Sequence, residues 1–139
     1  MSPARGRWLP LYQWVAGLCD AGTGVLLVFA PAWTFRLMGL AILPQPVAFV
    51  RFVGVFVLCV GLSYLGAVAA WPRVPRYEGQ WRAQWSITAL IRTAVALLLI
   101  WQIAAGAMES GWIGVVLTDA AFAIIQWVGL SRGWLRFAE

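Results

Sequence analysis

The chain has 139 residues, one domain at most, of which 63% are hydrophobic and 11% charged. Its mean hydropathy of +0.83 lies far above that of an ordinary soluble domain. The net charge of +5 comes from arginine alone, in short segments between apolar runs rather than in a basic stripe, which argues against nucleic-acid binding. Histidine is absent, so bis-histidine haem ligation, histidine zinc sites and a histidine general base are excluded within this chain.

The N-terminus imitates a secretory leader, with Arg5 and Arg7 ahead of an apolar run and Ala30-Pro31-Ala32 after it. Asp20 inside the run argues against cleavage, so the segment is expected to remain as a first membrane span, from about 11 to 30, stopped by Pro31. The segment from Pro31 to Pro44 is too short to cross a membrane and too apolar for an ordinary loop. It predicts a short helix over about 32–40 in the interface, with Arg36 snorkelling to headgroups. A second span runs from about 47 to 71, between Pro46 and Pro72. The polar loop that follows carries Arg73, Arg76 and Arg82, a handle for cytoplasmic docking. A third span covers about 83–105 and a fourth about 112–131. No alternating pattern argues for a barrel, so the expected fold is all-α, an integral membrane four-helix bundle in a single transmembrane domain.

Loop arginines predict the orientation. With both termini cytoplasmic, the inner segments hold Arg5, Arg7, Arg73, Arg76, Arg82, Arg132 and Arg136, and the outer ones Arg36. This places the chain in a bacterial inner membrane. Tryptophan agrees: Trp8, Trp14, Trp71, Trp81, Trp85, Trp127 and Trp134 lie toward inner span ends, and Trp33, Trp101 and Trp112 toward outer ones, as an aromatic belt requires.

Four charges fall inside apolar stretches: Asp20, Arg51, Arg92 and Asp119. Charges in hydrocarbon are costly and normally face a bundle interior with partners. Depth along the spans pairs Asp20 with Arg92 near mid-bilayer and Arg51 with Asp119 in the outer half; an Asp119–Arg92 bond, with one arginine bridging both acids, is the competing arrangement. Thr88 and Gln126 sit at helical spacing on the same faces. Gly17, Ala21 and Gly24 form a small-residue stripe for close helix approach, and Arg51, Gly54, Leu58, Gly61 and Leu65 follow an a/d-like repeat that places Arg51 in a packing seam. Two acids and two bases balance, which favours a structural ionic lock. A headgroup or quinone site and an ion pathway stay open, and Arg36 with Arg51 offer a site for an anionic lipid headgroup.

Cys19 and Cys59 form no CxxC pair and read as apolar filler. No phosphate-cradling glycine loop, HExxH or GxSxG motif occurs, and no metal site or catalytic residue is expected. Gln102 and Gln126 read as helix–helix hydrogen-bond formers, with ligation of a pigment magnesium as the alternative.

The stretch Val50-Arg-Phe-Val-Gly-Val-Phe-Val-Leu-Cys-Val-Gly-Leu-Ser-Tyr-Leu65, following Pro31 and an intramembrane Asp20, resembles small bacterial four-helix membrane proteins of the DoxX-like kind. The resemblance rests on length, span count and an arginine–glycine second span, and implies quinone or thiol redox partners.

The function expected from the sequence is a non-catalytic subunit of a larger respiratory or photosynthetic electron-transfer complex. Such a subunit has no cofactor of its own, contacts lipid, quinone or chlorophyll-type pigment at its surface, and has other integral membrane subunits as partners. The alternatives are a stand-alone carrier for a small solute or ion, or a DoxX-like redox-accessory protein.

Overall fold

A computed structural model describes residues 5–69 and 78–135. Arg73, Arg76, Trp71 and Arg136 lie outside these residues. The described chain is all-helical: α1 (Arg5–Phe29), α2 (Pro31–Leu37), α3 (Val47–Ala69), α4 (Glu78–Ala104) and α5 (Ile113–Ser131), the last entered through a single 3₁₀ turn at Ser110–Trp112. Four of these helices contain stretches long and apolar enough to cross a membrane: Trp8–Phe29, Val47–Ala69, Gly79–Ala104 and Ser110–Ser131.

A helix lies over each of the four expected spans, with shifted bounds among the described residues. α1 begins before residue 11 and carries Pro10 inside it, at the cost of one helical hydrogen bond. The short helix expected over about 32–40 is α2, Pro31–Leu37. It stops at Leu37, and Gly39 takes φ 71° so that Leu40 can donate its N–H back to the Phe35 carbonyl at 2.9 Å. Gly106, at φ 70°, ends α4 in the same way, with the Ala107 N–H reaching the Gln102 carbonyl at 2.9 Å.

The helices form two tight pairs, α1 on α3 and α4 on α5. The first pair is made by glycines on both sides. A Cβ added at Gly61 would come within 2.2 Å of the Ala21 backbone nitrogen, and one at Gly24 within 2.4 Å of the Leu58 nitrogen. Backbone therefore meets backbone, which in lipid is the main source of helix association because no hydrophobic effect drives it. The small-residue stripe at Gly17, Ala21 and Gly24 and the repeat at Gly54, Leu58, Gly61 and Leu65 are the two halves of this interface.

At the end where α1 begins and α5 finishes, one aromatic cluster joins both pairs: Leu9, Tyr12 and Ala16 from α1, Tyr64 from α3, Trp81 and Trp85 from α4, and Leu135. Trp8 meets Trp134 edge-on at 4.9 Å between ring centroids. Here the aromatic-belt expectation needs correction. Trp81 and Trp85 are buried at 2% and 0% exposure, as core rather than belt, whereas Trp14, Trp33, Trp101 and Trp127 are exposed. At the opposite end the core is built from Leu27, Phe35, Leu40 and Val50, all from the first pair and the α2 segment. Glu109 bridges this end. Its two carboxylate oxygens accept the backbone N–H groups of Ala41 and Ile42, each at 2.9 Å, tying the α4–α5 connection to the segment after α2.

Candidate functional site: a charged floor under an apolar cavity

Polar side chains line the bundle interior in layers, set by helical spacing along α4. Gln84, Thr88 and Arg92 recur every four residues and so share one face. Gln84 accepts from the Nε2 of buried Gln13 at 3.1 Å, across from α1. Thr88 accepts from Gln126 Nε2 at 2.6 Å, and the same nitrogen donates to the Tyr64 hydroxyl at 2.7 Å, so one amide links α3, α4 and α5. Arg92, 4% exposed, closes the series.

Arg92 is the hub. Its Nη1 donates to Asp119 Oδ1 at 2.6 Å, and its Nη2 donates to Asp20 Oδ2. The guanidinium carbon lies 4.7 Å from the Phe122 ring centroid and 5.7 Å from that of Tyr64, so flat aromatic faces cover what the carboxylates leave open. A planar, permanently charged fork can reach two carboxylates on different helices while stacking on a ring, which an ammonium cannot. Its Nε is buried and makes no hydrogen bond among the described residues.

The structure thus brings together three of the four charges of the apolar stretches and leaves out the fourth. Asp20 meets Arg92, as its depth required, and Asp119 also meets Arg92, the competing arrangement. The expected Arg51–Asp119 pair is not formed. Arg51 is exposed, and no ion pair holds it among the described residues. Its depth is compatible; its direction is wrong. At about 100° per residue, Val53, Val57 and Val60, which face the interior cavity, lie between roughly 180° and 240° around α3 from Arg51. Glycine spacing had placed Arg51 in the α1–α3 seam, but it flanks that seam instead. One consequence matters for the chemistry. With Arg51 gone, the interior group is one base and two acids, so the balance of charge that favoured a purely structural lock does not hold.

Above this triad, toward the α2 end, the helix pairs leave a half-open cavity of about 400 Å³. Its walls are mainly aliphatic, with Leu27, Val53, Val57, Val60, Ile91 and Val95 among them, and Asp20, Arg92 and Asp119 are the charged groups that line it. Thr23 and Thr118 add hydroxyls. The carboxylates keep 12% and 16% side-chain exposure, and each has a second oxygen that makes no hydrogen bond within the described chain.

Of the remaining expected residues, Arg36 is exposed on α2 and Arg82 is half-buried near the start of α4. Gln102 is half-buried, while Gln126 is fully buried and engaged as described. Among the described residues no group of three or more histidine, cysteine, aspartate or glutamate side chains could hold a metal ion. Gln13, Gln84, Tyr64 and Glu109 were not singled out from the sequence. Gln84 continues the Thr88–Arg92 stripe and Gln13 lies seven residues before Asp20, so both were signalled by spacing; Tyr64 and Glu109 were not.

Compared with protein-family models, curated proteins and solved structures, the chain matches none.

Proposed function

We propose that the protein is a multi-pass integral membrane protein, without chemistry of its own, that holds a small amphiphile in the cavity between its helix pairs. In this reading it works as one subunit of a larger bioenergetic assembly, respiratory or photosynthetic. The observation that carries the reading is the cavity: about 400 Å³, aliphatic walls, and a charged floor set by a single buried arginine. Small-molecule sites typically take this form, with volumes of about 300–1,000 Å³, apolar linings and a few placed polar groups. Intramembrane ionisable residues mark such sites more often than they mark plain packing.

The positive-inside bias supports an inner-membrane location with both termini in the cytoplasm. Arg36 and Arg51, both exposed, are suited to lipid phosphates, while Arg82 with Arg73 and Arg76 would face cytoplasmic partners. The occupants suggested by the sequence are lipid, quinone or pigment.

The test is purification from native membranes in mild detergent, followed by native mass spectrometry, an absorption spectrum and solvent extraction. The reading expects a copurifying small molecule at fixed stoichiometry, lost when Val57→Trp fills the cavity, together with stable partner subunits. A pure, ligand-free monomer would contradict it.

A further inference from the structure

The cavity floor holds two acids against one base, and this narrows what can occupy it. Arg92 is the base, Asp20 and Asp119 are the acids, and among the described residues no other charged side chain lines the space. Arg51, the cation that would restore balance, projects from nearly the opposite side of α3. Uncompensated charge in a low-dielectric interior is costly, and a buried acid relieves it by taking up a proton or by pairing with a group of opposite sign; a cavity beside both acids gives room for the second. Hydrogen bonding points the same way. Each acid has given one oxygen to Arg92 and has one left without a donor among the described residues, on a side chain that borders the cavity.

We infer that the cavity takes a molecule with an apolar body and a cationic, hydrogen-bond-donating head, an ammonium group, seated on the free oxygens of Asp20 and Asp119. This rests on the ligand-holding reading and narrows it, away from an anionic lipid head and from the neutral quinone ring. Arg92 then has two roles. It positions both carboxylates and leaves the site one positive charge short of neutral, so that a single monovalent cationic head completes it. The aliphatic walls take the hydrocarbon portion, and the flanking Thr23 and Thr118 hydroxyls offer further acceptors for an ammonium proton.

The experiment uses the full chain in nanodiscs of zwitterionic lipid, with empty nanodiscs as the partition control. Equilibrium dialysis measures binding of decylamine, decanol and decanoate, which share a tail and differ in the head. Alkylammonium groups stay charged at pH 7, as the lysine side chain does. The inference expects saturable 1:1 binding of decylamine, at least about tenfold tighter than decanol or decanoate. That preference should vanish in Asp119→Asn and in Asp20→Asn, each of which keeps an oxygen for Arg92 but removes the excess charge. Decanol binding as tightly as decylamine, unaffected by either variant, would overturn the inference while leaving the cavity reading intact. Binding of none of the three above the control would overturn both. Ethylamine binding as tightly as decylamine would contradict the apolar body and assign the amine's source to water rather than the membrane. The head-group comparison on the unaltered chain decides the matter even where a variant fails to fold.

Discussion

Arg92 donates to Asp119 across a helix pair that is already packed, and to Asp20 across the gap between pairs. The two bonds therefore do different work. The first fixes register within α4–α5. The second ties that pair to α1–α3 at the depth where the aromatic cluster ends and the cavity begins. Both carboxylates depend on one guanidinium, and the guanidinium on two flanking rings.

Replacing Arg92 by methionine strands two carboxylates in the interior. Breaking a buried ion pair by removing one partner costs about 3–5 kcal/mol in soluble proteins, and a loss of that order is expected in thermal unfolding of the purified protein. Arg51→Ala, although it also removes an arginine from an apolar helix, is expected to change stability by no more than about 0.5 kcal/mol, because the side chain is exposed and unpaired. Comparable losses for the two variants would place Arg51 in the seam after all.

The α1–α3 interface makes a sharper prediction about glycine. Gly61→Ala puts a Cβ against the Ala21 backbone, where nothing flexible can yield, and is expected to cost about 1–3 kcal/mol. Gly22→Ala and Gly66→Ala meet nothing within 4 Å and are expected to leave stability unchanged or raise it by up to about 1 kcal/mol, from helix propensity alone. Thermal unfolding of the three variants side by side checks this, and equal effects would remove backbone contact as the basis of the pair.

Glu109 is expected to act locally. Glu109→Ala frees the amides of Ala41 and Ile42, at a cost of about 1 kcal/mol, reduced from the usual range for charged hydrogen bonds because the site is exposed. Hydrogen exchange should quicken several-fold at those two amides while the α1–α3 interface keeps its protection. Protection unchanged at Ala41 and Ile42 would show that the carboxylate does not hold them.

Much of this architecture is legible in the sequence because of length: apolar runs of about twenty residues bounded by prolines leave few alternatives to helices. Depth is legible for the same reason, and it paired Asp20 with Arg92. Direction around a helix is harder. α3 is apolar on every side, since lipid and helix neighbours ask for the same residues, so hydrophobic periodicity could not say which way Arg51 points. The glycines carried the only azimuthal signal, and Arg51 lies just beside their stripe. Trp81 and Trp85 were ambiguous in a similar way, because an indole near a span end suits either the interface or a core, and only their neighbours Tyr12, Tyr64 and Leu135 decide. The excess of acids over bases was not legible at all: it follows from Arg51 being absent from the group, not from any motif.

A double-mutant cycle on unfolding free energy tests the central claim most directly, pairing Asp119→Asn once with Arg92→Met and once with Arg51→Met. The account predicts a coupling of at least about 1 kcal/mol between Asp119 and Arg92 and none beyond error between Asp119 and Arg51. Coupling of Asp119 to Arg51 in place of Arg92 would restore two separate ion pairs, neutralise the interior, and contradict both the three-residue hub and the cationic ligand inferred from it.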